Sequence, residues 1–190
     1  MEDVRLLIQS TPNPNALKFV LNVPVKKEGN FTYKTAEDCG DNPLAKAVFE
    51  QDAAVKEVYF FDNYITVTQN GNADWDDLEE KVKATIMANI KDHNPDFKTP
   101  EPAADTPQTF ATGPEVDQIN AILDQTVRPA LQMDGGDIQL VSYEDNTLKV
   151  FYQGACGSCP SSSMGTMMAI QNILRDQFNP EITVEIAETF

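Results

Sequence analysis

Histidine, cysteine and basic residues are all scarce in this 190-residue sequence, which has one histidine, three cysteines and 14 Lys plus Arg against 30 Asp plus Glu. The resulting net charge of −16 argues against electrostatic binding of nucleic acid or of an anionic membrane surface. Long apolar runs are missing too, so nothing in the sequence spans a bilayer. The N-terminal residues Met1-Glu2-Asp3-Val4-Arg5 are acidic and lead directly into a strand-like run. The expectation is therefore no targeting segment and a cytoplasmic setting. Three cysteines cannot all pair within one chain. Two of them three positions apart fit a metal or redox site in a reducing compartment better than a structural disulfide. The lone His93 has no nucleophile nearby; it follows a helix end and reads as a solvated, structural residue.

With 41% hydrophobic and 23% charged residues, the chain has the composition of a globular protein. Five of its 12 prolines fall between Pro95 and Pro114, a stretch that reads as a semi-rigid linker with Phe110 exposed or loosely docked within it. The fold class expected is α+β: two small mixed α/β domains, residues 1–94 and 115–190, joined by the Pro-rich linker 95–114. The C-terminal domain holds 3 bases and 11 acids; that excess serves solubility, or steers basic partners toward it.

In the N-terminal domain, Val4–Gln9 and Ala16–Leu21 read as strands around the turn-rich Thr11-Pro12-Asn13-Pro14-Asn15. Phe31–Lys34 suggests a short third strand. Asn42 and Pro43 are a cap and first residue for a helix through Phe49. Val55–Phe61 and Tyr64–Gln69 form a hairpin around Asp62-Asn63. Asp74–Ile90 is the clearest helix, with Trp75, Leu78, Val82 and Ile86 on one face. Cys39 lies in a polar loop between acids, which should raise its pKa and make it a poor ligand or nucleophile.

The C-terminal domain reads α-β-β-α-β. Val116, Ile119, Leu123 and Val127 share a helical face, and Pro129 kinks that helix or starts a second turn through Met133. Asp134-Gly135-Gly136-Asp137 reads as a turn, not as a hard-cation site, because few further oxygens are nearby in sequence. Ile138–Tyr143 and Leu148–Gln153 form a hairpin. Met167, Ile170, Leu174 and Phe178 mark a second helix, and Ile182, Val184 and Ile186 a last strand. The methionines Met133, Met164, Met167 and Met168 read as core as a group, with a side role in a soft contact surface beside the cysteines.

Between that hairpin and the second helix lies Gly154-Ala155-Cys156-Gly157-Ser158-Cys159-Pro160. Pro160 suits a first helical position, which puts both sulfurs near a helix N-terminus, where the dipole favours the thiolate. Three chemistries fit Cys156 and Cys159. A thiol–disulfide oxidoreductase would use the same setting, but only twelve residues follow Phe178, too few to complete a thioredoxin-like fold. A zinc-bridged dimerisation module and an iron–sulfur site each need four ligands, and one domain offers two. Two copies facing each other across a two-fold axis supply the full set. A cluster held in that way suits a carrier, since parting the chains or exchanging one pair of ligands releases it.

The run Arg128-Pro129-Ala130-Leu131-Gln132-Met133-Asp134-Gly135-Gly136-Asp137-Ile138-Gln139-Leu140-Val141, followed by Gly154-Ala155-Cys156-x-x-Cys159-Pro160-Ser161-Ser162, resembles the NifU C-terminal domain of the Nfu-type iron–sulfur proteins. Thr11–Phe19 and Pro43-Leu44-Ala45 are similar to the Nfu N-terminal domain. The family often has Ser-Gly between the cysteines where this chain has Gly157-Ser158. The resemblance implies a non-enzymatic scaffold or carrier that binds a 4Fe-4S cluster in a homodimer, with Cys156 and Cys159 of each chain as ligands. Its partners are then an upstream cluster donor and apo iron–sulfur client proteins, with the N-terminal domain recognising one or the other. The scaffold and ferredoxin-like segments of the long nitrogen-fixation relative are not in this sequence, so carriage rather than de novo building is the expectation.

Overall fold

A computed structural model of the chain describes residues 3–40, 42–98, 111–157 and 162–187. Phe110, Ser158, Cys159 and Pro160 lie outside the described residues. The chain divides into two compact units, Met1–Pro100 and Glu101–Phe190. Both combine sheet and helix, as the α+β reading requires.

The first unit is built from β1 (Leu6–Ser10), β2 (Ala16–Leu21), β3 (Lys26–Tyr33), α1 (Pro43–Phe49), β4 (Val55–Asp62), β5 (Tyr64–Gln69) and α2 (Trp75–Asn89). Its five strands run in the order β1-β2-β5-β4-β3, every pair antiparallel. The Thr11–Asn15 turn is closed by side chains: the Thr11 hydroxyl donates to the carbonyls of Asn13 and Ala16, both at 2.9 Å. Asn42 caps α1 by accepting from the Ala45 N–H at 3.2 Å, and Asp74 caps α2 by accepting from Asp76 at 3.0 Å. Both satisfy helix N–H groups that have no partner within the helix. Leu78, Val82 and Ile86 of α2 are fully buried with Phe19, Val58, Phe60 and Ile65 of the sheet. Each such side chain contributes about 1.5–3 kcal/mol of transfer free energy.

The short third strand expected at Phe31–Lys34 is the end of a longer one. β3 starts at Lys26 and carries an irregularity between Lys26 and Asn30. Its first half is polar and exposed, so no alternation announces it. Residues 93–98 then fold back beneath it. The Lys27 N–H donates to the Pro95 carbonyl at 3.0 Å and Lys26 Nζ to the Phe97 carbonyl at 2.9 Å. The Phe97 ring meets Phe60 edge-on with centroids 5.6 Å apart. Pro95–Lys98, read from proline content as the start of the linker, is thus packed on this unit.

His93 is structural but not solvated. Its Nε2 lies 2.7 Å from the Val25 carbonyl, and its ring stacks on Phe60 at 5.7 Å. Burial pushes the imidazole below its usual range, against the smaller opposing pull of the Val25 carbonyl. The ring is therefore held neutral and donates from Nε2; it does not sit as a cation at a helix end.

The second unit comprises α3 (Pro114–Thr126), α4 (Arg128–Met133), β6 (Gly136–Glu144), β7 (Thr147–Gly154), α5 (Ser162–Gln177) and β8 (Thr183–Ile186). Its strands lie in the order β6-β7-β8, with β6 and β7 antiparallel and β7 and β8 parallel across α5. Pro129 sits in the first turn of α4, where its missing N–H costs nothing, so the chain starts a second helix there. Asp145 and Asn146 have φ of 49° and 60° and connect Glu144 to Thr147. Two consecutive positive φ values give the tight hairpin turn whose twist matches the strands. Val116, Ile119 and Leu123 of α3, Ile138 and Leu140 of β6, Leu148 and Val150 of β7, and Ile170 and Leu174 of α5 close one core.

The neutral state of His93 predicts a pH dependence. The unfolded chain takes up a proton at the ordinary value of 6.5 while the folded one resists it. The stabilisation is therefore complete above that pH and is lost as pH falls through it toward the lowered folded value. Thermal unfolding of the first unit followed from pH 7.5 to 5.5 should decline in the wild type and decline less in His93→Gln. Equal slopes would show that the imidazole titrates freely.

Candidate functional site

The end of β7 and the start of β6 are partners in the sheet: Gly136 pairs with Gly154. This register brings the Asp134–Asp137 segment against the turn that follows β7. The Ala155 N–H donates to the Gly135 carbonyl at 3.1 Å, and the Gly157 N–H to the Gly154 carbonyl at 3.1 Å. Cys156 sits in this turn as a reduced thiol, 5% exposed. A β-carbon added at Gly136 would lie 2.5 Å from Cys156 Sγ and 2.7 Å from the Gln153 carbonyl oxygen. Real side chains do not tolerate such distances, so glycine at 136 is the seat for the sulfur.

Cys156 is held by the turn that closes β7, and α5 is described from Ser162. The expected setting of the sulfurs near a helix N-terminus falls on the stretch between them. Cys159, Pro160 and Ser161 fall outside the described residues. Among the described residues no three His, Cys, Asp or Glu side chains converge as a metal site.

Asp137 is not a turn residue. It lies in β6, 4% exposed, and its carboxylate accepts from the Ile138 N–H at 2.7 Å and from Gln132 at 3.4 Å. Arg128 faces it at 3.4 Å. The same guanidinium pairs with Asp124, donates to Asn120 at 2.8 Å and donates to the Ile138 carbonyl at 3.3 Å. One side chain thus ties α3, α4 and the start of β6 together. A buried carboxylate is tolerable only with such partners. Sequence reading missed this because the partner lies nine residues away on another element, and the paired glycines gave a stronger turn signal.

Among the described residues, the Tyr152 hydroxyl and the Gln153 side-chain carbonyl are buried near the end of β7 without a hydrogen-bond partner. A buried polar atom left unpaired costs about 1–3 kcal/mol. Burial, and second the Cys156 thiolate, raise the Tyr152 phenol above its usual range.

The methionines are not core as a group. Met133, Met164 and Met168 are 76%, 70% and 55% exposed, and Met167 alone of the four packs against the core. Met133 ends α4, three residues before the sulfur's glycine seat, and the other two face outward from the first turns of α5. Cys39 belongs to the other unit. It lies in a single turn of 3-10 helix, Glu37–Cys39, 2% exposed, where its thiol donates to the Thr35 carbonyl at 3.4 Å. Burial first, and Asp38 second, push it up to about 11. The flanking acids point in the same direction, but the larger cause is burial.

The chain is thus a two-unit α+β protein with one buried thiol in each unit among the described residues, Cys39 in the first and Cys156 at a strand end of the second. The family model "Scaffold protein Nfu/NifU N terminal" matches residues 6–93, and "NifU-like domain" matches residues 119–185. The chain belongs to the Nfu family, with both domains in order. It is 38% identical over 170 residues to a Drosophila persimilis protein named NFU1 iron-sulfur cluster scaffold homolog, mitochondrial, covering 88% of this chain and 59% of that protein. It is 35% identical to NifU-like protein 4, mitochondrial, of Arabidopsis thaliana, covering 87% of this chain and 60% of that protein. The chain therefore spans about three fifths of the length of these curated relatives. The solution structure of a NifU-like protein from Saccharomyces cerevisiae matches with a TM-score of 0.46 at 18% identity, over 53% of this chain and 92% of that one.

These names overturn the cytoplasmic expectation, since both relatives are named as mitochondrial. Acidic composition and unpaired cysteines specify only a reducing compartment, and they do not choose among such compartments.

The seat of Cys156 generates a test. Gly136→Ala should destabilise the second unit by about 1–3 kcal/mol through overpacking. It should also raise the alkylation rate of Cys156 several-fold, read by peptide mass spectrometry. Unchanged stability and labelling would show that sulfur and backbone are not in contact.

Proposed function

We propose that the chain is a non-enzymatic iron–sulfur carrier. It holds a 4Fe-4S cluster between two copies, each contributing Cys156 and Cys159, and passes it to apo-proteins. The observation that carries this reading is the setting of Cys156: a sulfur lodged against Gly136 in a turn of small residues, with no complete set of metal ligands around it among the described residues. The names of the relatives support the cargo, and a cubane takes four thiolates in its common form. The same likeness supports a mitochondrial setting, an upstream donor and apo iron–sulfur clients, with the first unit as the recognition module.

Delivery is a ligand exchange in which no electron moves. Each iron–sulfur bond to this chain that breaks is replaced by one to an acceptor thiolate. The protons released by the acceptor's thiols are taken up by the departing cysteines. Loosely shared ownership favours this exchange, because parting the chains removes half of the ligands at once.

Anaerobic reconstitution followed by native mass spectrometry tests the reading, with a brown dimer carrying about four irons expected. Cys156→Ser and Cys159→Ser should each abolish iron binding, while Cys39→Ser should retain it. With its pKa near 11, the Cys39 thiol supplies thiolate in fewer than about one molecule in a thousand at neutral pH. Colourless protein with tightly held zinc, or colourless protein cycling between dithiol and disulfide, would replace the proposal. Loss of iron in the Cys39 variant would reassign the ligands.

A further inference from the structure

No charged residue occurs between Lys149 and Arg175, although the chain carries 30 acids and 14 bases. The stretch includes the end of β7, the cysteine loop and most of α5. In α5 it reaches solvent: Met164, Gly165, Met168, Ala169 and Asn172 are all exposed. This exposed face carries no charge from Met164 to Asn172, and charge returns only at Arg175 and Asp176, one turn further along the helix. An uncharged exposed patch of that length is unusual for a surface whose only neighbour is water. Gly165 sharpens the point. Glycine inside a helix costs stability relative to alanine, and among the described residues nothing requires it, because a β-carbon at Gly165 would meet none of them within 4 Å. The space it leaves open is on the outside of the molecule. The cost is offset only when another surface comes close.

We propose that this α5 face is the contact by which two copies of the chain pack around the shared site, an inference that rests on the carrier reading above. Three observations select a second copy as occupant. The cysteine loop leads directly into α5, so a two-fold axis that brings two loops together also brings two α5 faces together. An acidic unit can approach its own copy only where charge is absent, and this is the stretch where it is absent. The face is also self-complementary, since flexible, polarizable methionines flank small residues that let two helix axes approach. Met133, exposed at the end of α4 beside the glycine seat, extends the same apolar rim from the other side of the loop.

The test uses the full chain, reconstituted anaerobically, as wild type, Met168→Glu, Gly165→Leu and the control Gln177→Glu, an exposed position beyond the uncharged stretch. Each variant is measured for dimer dissociation constant by sedimentation, iron per chain, thermal stability without iron, and transfer to an apo-ferredoxin acceptor. The two-fold axis applies each substitution twice, so Met168→Glu and Gly165→Leu should weaken the iron-loaded dimer at least tenfold. Apo stability should hold in Met168→Glu and rise in Gly165→Leu, and the control should match wild type. Wild-type dimers with iron, matched by equally tight dimers in all variants, would overturn the face and leave the carrier reading standing. Tight dimers that transfer poorly only in the α5 variants would assign the face to the acceptor and overturn the second copy. A wild-type monomer holding the full cluster would overturn both readings.

Discussion

The sulfur of Cys156 rests against the backbone of Gly136, and this approach is set by the pairing of two strand ends. Gly136 opens β6 and Gly154 closes β7, opposite each other in the sheet. Because side chains alternate along a strand, a slip of one residue would turn every buried residue of the hairpin outward. Ile138, Leu140, Leu148, Val150 and Tyr152 are buried, so the core enforces the register and the register fixes the turn. The sulfur is thus positioned by apolar packing that runs the length of both strands and ends at Cys156 itself. Arg128 adds a second restraint by tying the start of β6 to both preceding helices.

The first unit keeps its reactive groups out of action by burial. Cys39 and His93 are the residues there that could coordinate or transfer a proton, and each is held in its uncharged form. Their partners are backbone carbonyls, Thr35 for the thiol and Val25 for the imidazole. A carbonyl accepts from a neutral donor, and burial is the larger cause that keeps each group uncharged. The Trp75 indole N–H, donating to the Pro14 carbonyl at 2.9 Å, anchors the Thr11–Asn15 turn to α2, so the turn-rich signature of this unit is a fixed feature of it.

Local signals in the sequence translated well into structure. Asn42 with Pro43 capped a helix as expected, Asp145-Asn146 closed a hairpin, and the 3.6-residue spacing of Val116, Ile119 and Leu123 marked a buried face. Features decided by distant partners were not legible. Phe97 looks like linker until Phe60 and Lys26 are seen around it. Asp137 looks like a turn residue until Arg128 reaches it. Methionine is ambiguous by chemistry, since the same flexible side chain suits a core or a surface; Met167 packs on the core and Met164 and Met168 stand exposed. Cys156 stood out in the sequence by its spacing to Cys159, but its seat did not, because the glycine that makes room for it lies twenty residues earlier.

Charge placement around the loop follows from the same geometry. A thiolate with a carboxylate about 8 Å away is opposed by roughly 0.5–2 kcal/mol, depending on how much water lies between them. The acids of this unit are not spread evenly: the stretch from Val150 to Leu174, which includes the loop, carries no charge. Asp134 and Asp137 bound the segment that lies against the turn from the other side. Asp137 is next in chain to the glycine that touches the sulfur. It is also the carboxylate that Arg128 faces at 3.4 Å. The guanidinium therefore has two consequences from one position: it makes burial of Asp137 possible, and it cancels much of that carboxylate's field at the sulfur. An arginine suits this better than a lysine, because its planar fork serves Asp124, Asn120 and Asp137 together and stays charged at any pH the protein meets.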